Sequence, residues 1–222
     1  MIEWHLDRDD DGAFMAKMKI LTFPDPRLRE VSQKVTKFGP ELKKLAEDML
    51  ETMYEARGIG LAAPQVGELL RMVVIDTRPK DEETKRYKYD EMTELEQKVP
   101  QPLILINPEV VGGTGKTTFD EGCLSVPSFY ETVERFETVE IKAYDLDGKE
   151  FRVKSDGLLG ICMQHELDHL EGTLFIDHIS FVKSNRIKNQ IKKHGYPEKP
   201  AATSEVESAL VENKKPKENR KS

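Results

Sequence analysis

Apolar residues recur at three- and four-residue steps early in the chain, at Leu42, Leu45, Met49, Leu50 and Met53. That spacing lines one face of an α-helix. Pro40 opens the helix and Gly58 closes it. Before it, Phe23-Pro24-Asp25-Pro26 forms a rigid, turn-rich entry. Met72 to Ile75 is a short unbroken apolar run, which predicts a buried strand. Leu103 to Ile106 and Glu109 to Val111 predict a strand region broken at Asn107-Pro108. Thr138 to Tyr144 alternates, with Val139, Ile141 and Ala143 on one face and Glu140 and Lys142 on the other. Asp147-Gly148 turns that strand into Phe151-Arg152-Val153, a β-hairpin.

The pattern then returns to helix. Ser155 or Asp156 caps a helix that runs to Gly172. Leu158, Leu159, Ile161, Cys162, Leu167 and Leu170 make it apolar on most sides, so it is expected to be buried. A last amphipathic helix spans Phe181 to Lys193, with Val182, Ile187 and Ile191 as its apolar side. Three regions fit no periodic element. The first is the polar N-terminal segment, where Met15 or Met18 is an alternative start. The second, residues 78–102, is charge-rich and reads as an inserted surface loop, a flap near the cleft. The third, from Pro197 onward, has too little apolar surface to offset ordering entropy and reads as disordered.

Composition narrows the function. The 222 residues carry a net charge of -7, which argues against a general binder of phosphate backbones. No apolar run approaches the ~20 residues that span a bilayer. The acidic start lacks the features of a secretory or transit peptide, so a reducing cytoplasmic setting is expected. There a disulfide is a poor explanation for the two cysteines, Cys123 and Cys162.

The candidate chemistry lies on the buried helix. His165-Glu166-Leu167-Asp168-His169 is an H-E-x-x-H motif, with two imidazoles on one helical face able to share a metal ion. The Glu between them can move a proton on metal-bound water. Without a metal or hydrogen bonds, such a buried cluster is costly. A catalytic site of this kind takes a third protein ligand. Cys162 precedes His165 by one turn but sits about 10 Å along the axis from His169, at 1.5 Å per residue, and reads better as a small core residue. Cys123, in Glu121-Gly122-Cys123-Leu124-Ser125-Val126-Pro127, is the better candidate. A third His at the metallopeptidase spacing is missing, and Asp177 is only a weak acidic alternative.

Three segments now stand together. They are Gly58-Ile59-Gly60-Leu61-Ala62-Ala63-Pro64-Gln65-Val66-Gly67, Glu121-Gly122-Cys123-Leu124-Ser125, and Gln164-His165-Glu166-Leu167-Asp168-His169. In order, spacing and content they resemble the boxes of the peptide deformylases, and the resemblance covers about residues 18–195. It implies an α+β fold, with antiparallel sheets around the central motif helix and a C-terminal helix. It leaves residues 1–17 as a flexible extension and 196–222 as a tail. It implies removal of the formyl group from N-formylmethionine at the start of new polypeptides.

The resemblance also implies a site. Cys123, His165 and His169 would hold one divalent ion, Fe²⁺ in the usual native state, with Zn²⁺, Ni²⁺ or Co²⁺ as substitutes. Glu166 would take the proton of the bound water and pass it to the leaving amine. The side-chain amide of Gln65 and the backbone N–H of Leu124 would meet the charge growing on the formyl oxygen. Standing alone, Gln65 would read as an ordinary loop glutamine. By family position, Ile59, Leu158, Ile161 and Cys162 would line the methionine pocket, and Gly60 and Glu121 would give backbone contacts to the substrate. Phe119 stands where relatives often have an aliphatic residue, and Tyr130 where some have Arg.

Partners and rivals follow. The substrate partner is the formylated nascent chain; neither a membrane nor specific nucleic acid is expected. Lys183, Arg186, Lys188, Lys192 and Lys193 make the last helix basic, either as a solvated face or as a dock for ribosomal RNA. The rival readings are an H-E-x-x-H metallopeptidase cutting internal peptide bonds and a catalytically silent binding protein.

Overall fold

The computed structural model describes residues 18–78 and 92–197. The expectations for 1–17, for 79–91 within the insertion and for 198–222 lie outside the described residues. The architecture is α+β, as expected. Helix α1 is Pro40–Glu55, and strands β1 (Gly60–Ala62) and β2 (Met72–Ile75) follow. A short helix α2 (Glu94–Lys98) precedes β3 (Leu103–Thr114), β4 (Thr117–Cys123), β5 (Val126–Arg135), β6 (Thr138–Tyr144) and β7 (Glu150–Ser155). The motif helix is α3 (Gly157–Leu170) and the last helix is α4 (Phe181–His194).

Five strands form one antiparallel sheet in the order β1-β2-β3-β6-β7, and β4 and β5 form a separate hairpin. The unbroken apolar run of β2 has a simple cause: both faces of the sheet are covered there. Val73 and Ile75 join Leu105, Ile141 and Val153 against Leu159, Met163 and Leu167 of α3. Met72 and Val74 face the other way, against Leu42, Met49 and Met53 of α1. A third core packs Val126 and Val133 of the hairpin against Phe175, Ile187 and Ile191. The motif helix thus lies with the large sheet on one side and the hairpin beyond its far end.

Several local expectations change. Arg57, not Gly58, takes the left-handed backbone after α1. The break at Asn107-Pro108 is a bulge inside one continuous strand, with Asn107 at positive φ. Residues 92–102 are not a surface loop. Thr93 caps α2 with a reciprocal Glu96 bond, and Met92, Glu96 and Gln101 are buried. Asp156 stands at the cap position of α3, but its side chain makes no capping bond there. Val182 leaves the apolar side of α4 and is 77% exposed, while Ile187 and Ile191 are buried. Tyr196, just past the expected boundary, is tied to the domain: its hydroxyl donates to the Phe23 carbonyl at 2.6 Å and its ring packs edge-on to Phe129. No helix among the described residues is long and apolar enough to cross a membrane.

Candidate metal centre

Two elements meet at the site. The register shift between Gly122 and Cys123 ends the regular β4–β5 pairing, and Leu124-Ser125 turn the chain. Cys123 is thereby presented at the hairpin tip, facing α3. One turn apart on α3, the rings of His165 and His169 sit edge to face with centroids 5.2 Å apart. Cys123 Sγ lies 3.3 Å from His169 Nε2. One ligand atom from each of Cys123, His165 and His169 falls within 4.8 Å of the others. Ion–ligand bonds of about 2.0–2.3 Å in a tetrahedron put ligand atoms roughly 3.4–3.8 Å apart, so this donor set fits a divalent ion with one position left for water or substrate. Glu166 Oε2 and His169 Nδ1 are buried without a hydrogen-bond partner among the described residues. Cys162 is not a ligand: its Sγ turns to the Ile59 carbonyl at 3.7 Å.

The imidazole orientation is set from behind. Glu121 accepts from His165 Nδ1 at 2.8 Å, which leaves Nε2 as the ligand atom. Arg135 grips the same carboxylate at 2.7 and 2.9 Å and reaches Asp168 at 2.7 Å. Asp168 also holds His178 at 2.7 Å. Phe175 stacks on the His165 ring with centroids 6.3 Å apart. Glu121 therefore contributes its side chain to the metal site, a placement its expected substrate contact did not include. Arg135, Phe175 and Ser125 are the members that the sequence reading missed. Arg135 left one signal, an arginine at an inward strand position, which needs a buried carboxylate.

Electrostatics follow burial. Burial pushes the Glu166 carboxyl up to about 7, and the negative Glu121 and Asp168 add to that against the pull of His165. Burial lowers the His169 ring well below the ordinary imidazole value, helped by positive charge at His165, Arg29 and Arg135. Burial also acts to lower His165, but hydrogen bonds to Cys123 and Glu121 outweigh it and hold that ring well above the ordinary value. Burial alone would raise Glu121; its bonds to Arg135 and His165 bring it down to about 2.

The remaining predicted residues fall into two groups. Gln65 is at the centre: its Oε1 accepts from Ala62 N at 2.7 Å, so its amino group faces Ser125 Oγ at 3.1 Å and Cys123 Sγ at 3.6 Å. Leu124 directly follows the thiol ligand and is half-buried. Gly60 lies against Glu166 and Cys162, where a side chain would collide with both. Ile59 packs on the core that includes Cys162, while Ile161 is buried and Leu158 half-buried on the first turns of α3. Phe119 and Tyr130 stand apart from this group on the exposed hairpin, at 39% and 67% exposure. Asp177 is excluded as a ligand. It is bound by Arg29 and Lys188 and is not in the ligand cluster.

Comparison with known proteins agrees with this geometry. The family model described as polypeptide deformylase matches residues 17–185. The peptide deformylase of Alkalilimnicola ehrlichii is 45% identical over 179 residues, covering 81% of this chain and 91% of that protein. That of Cellvibrio japonicus is 47% identical over 180 residues, covering 81% and 96%. Among solved structures, a peptide deformylase from Ehrlichia chaffeensis superposes with a TM-score of 0.69 at 35% identity, covering 82% of this chain and 99% of that one. One from Legionella pneumophila gives 0.66 at 37% identity, covering 90% and 100%. With its thiol and two imidazoles gathered at the tip of one hairpin and on one helix, the chain belongs to the peptide deformylase family.

Proposed function

We infer that the chain removes the formyl group from the N-terminal formylmethionine of new polypeptides, using a divalent ion held by Cys123, His165 and His169. The observation that carries this reading is the convergence of one thiol and two imidazoles within 4.8 Å beside the buried Glu166. When bound, the ion supplies Lewis acidity and an acidified water. Ligand softness permits Fe²⁺, Zn²⁺, Ni²⁺ or Co²⁺, and the family resemblance points to Fe²⁺ among them.

The chain's own groups do the rest. Glu166 accepts the water proton and hands it to the departing amine nitrogen. The Gln65 amino group and the Leu124 N–H donate to the formyl oxygen as it gains charge. Gln65 is pre-aimed because Ala62 occupies its oxygen. Ile59, Leu158, Ile161 and Cys162 receive the methionine side chain, and the backbone at Gly60 and Glu121 aligns the peptide. The test is anaerobic purification with elemental analysis, then formate release from a formyl-Met peptide. Cleavage of unformylated peptides instead of formate release would favour a metallopeptidase; the thiol in place of a third His or acidic ligand speaks against that reading.

The C-terminal helix supports a narrower ribosome-docking reading than its composition suggested. Lys183 and Lys188 pair with Glu131 and Asp177 at 2.6 and 3.0 Å, which leaves Arg186, Lys192 and Lys193 exposed for RNA. Salt-sensitive cosedimentation with ribosomes, lost when those three become Ala, tests it.

A further inference from the structure

The motif helix does not cap its own N-terminus. Asp156 occupies the cap position, yet its carboxylate is taken by the Thr93 hydroxyl. The capping acceptor comes instead from α2, more than sixty residues earlier. Glu96 Oε1 accepts from Leu159 N at 2.9 Å, and Glu96 Oε2 accepts from Thr93 N at 2.8 Å. The Thr93 hydroxyl accepts in turn from Glu96 N at 3.1 Å, which closes a reciprocal box. Glu96 is 1% exposed. The backbone of α3 passes close beside it at Gly157, where a Cβ would lie 2.5 Å from the Glu96 carboxyl carbon. A carboxylate at this end also meets the positive pole of the helix.

A second observation places this box at a functional wall. The same insertion is stapled on its other side, where Gln101 Oε1 accepts from the Thr77 N–H at 2.7 Å. The neighbouring Asp76 N–H donates to the Ile59 carbonyl at 2.8 Å. Residues 92–102 thus span from the backbone beside Ile59, just before β1, to the first turn of α3, which carries Leu158. Val99, one residue past α2, packs on the same core as Ile59 and Cys162.

We propose that the Thr93–Glu96 box is a positioning device for substrate selection: it sets the start of α3, and with it Leu158 and Ile161, as the wall of the methionine pocket. Thr93 and Glu96 are positioning residues, because they act through α3 and touch no substrate. The inference rests on the pocket assigned above to Ile59, Leu158, Ile161 and Cys162. Ligands and proton carrier lie two to three turns further along α3, so release of its first turn shifts the pocket wall before it shifts His165, Glu166 or His169.

The experiment measures kcat and KM on formyl-Met-Ala-Ser and formyl-Ala-Ala-Ser, with metal content by elemental analysis, for the native chain and Glu96→Ala, Glu96→Gln, Thr93→Val and Thr93→Ser. Expected for Glu96→Ala is a KM for the Met peptide raised about tenfold, kcat within about twofold and full metal occupancy. Its preference for Met over Ala should fall by about tenfold. Glu96→Gln keeps one acceptor and should fall between; Thr93→Ser should behave as native and Thr93→Val as Glu96→Ala. Where Glu96→Ala does not fold, Glu96→Gln and Thr93→Val carry the same comparison. Unchanged KM and unchanged Met preference in the folded variants overturn the proposal. So does a loss of kcat in step with lost metal, which would make the box a support of the metal centre alone. A native chain that releases no formate from the Met peptide overturns the functional reading instead, which keeps the two failures apart.

Discussion

Replacing Gly60 with alanine tests how closely the proton carrier is held. A Cβ at this position would lie 2.8 Å from the Glu166 carboxyl carbon and 2.8 Å from Cys162 Sγ, against 3.4 Å or more in ordinary contact. Glu166 Oε1 lies closer still, so the carboxyl must retreat by about 1 Å, because strand β1 is pinned to β2 through Gly60↔Ile75 and cannot back away freely. Glu166 has no slack of its own, being buried on a helix that is packed on nearly every side. A misplacement of about 1 Å costs about 100-fold in rate, so the expected loss in kcat is about 100-fold. Overpacking should also lower stability by about 1–3 kcal/mol.

The informative contrast is between chemistry and metal. Cys123, His165 and His169 supply none of the three atoms nearest the new methyl, so metal content should stay at the native level. Steady-state formate release gives kcat, elemental analysis gives occupancy, and urea unfolding gives stability. A Gly60→Ala chain with full metal and kcat within threefold of native would refute the argument that Glu166 is held in place by a bare backbone at position 60. Loss of metal together with rate would refute it differently, by showing that the strain is relieved through α3 as a whole.

Three further outcomes follow. Glu166→Ala should lower turnover by at least about 10²-fold while metal stays bound, since the carboxyl carries the proton but is not in the ligand set; a fully active variant would remove Glu166 from that role. Arg135→Leu leaves the buried Glu121 without its bidentate partner, which should destabilise the fold by about 3–5 kcal/mol and weaken metal retention by about 10- to 100-fold against a chelator; native retention would show that His165 needs no such backing. Asp76 is buried, which alone would raise its pKa, but bonds from Arg78 and Tyr54 outweigh that and hold it below the ordinary aspartate value of 3.8. Its contribution is therefore present above about pH 4 and is lost as pH falls through the lower folded value. Asp76→Asn should cost about 1–3 kcal/mol at pH 7, with the difference from native shrinking in urea melts below pH 4; a gap independent of pH would contradict the sign.

What could be read from the sequence was set by range. H-E-x-x-H puts two ligands on one helical turn by local geometry alone, and the alternation of Val139, Ile141 and Ala143 states its own buried face. Gln65 needed its Gly-rich surroundings to be singled out, because a glutamine has no period. Asp156 does stand at the cap position of α3, and only its capping bond is missing, for a physical reason. Ser155 and Asp156 have the right chemistry at the right position, but Thr93 competes for Asp156 through space, and nothing local announces that. The loop reading of 92–102 failed likewise: Glu96 counts as a surface charge in any composition window, yet it is buried by a partner 63 positions away.

The residues that hold α3 in place thus come from outside the motif at both ends. Glu96 of α2 holds the first turn, and Glu121 of β4, backed by Arg135 of β5, holds the turn that carries His165. Both are buried carboxylates that accept from groups of α3, and each is held by a partner on its own side of the contact, Thr93 for one and Arg135 for the other. The pairing matters energetically, since a buried carboxylate without such a partner is costly and tends to be neutralised, which weakens its hold on the helix. It follows that an intact Gln164–His169 box is not sufficient for activity. A chain with every motif residue in place but without Arg135 would keep the ligands and lose the geometry that lets them converge.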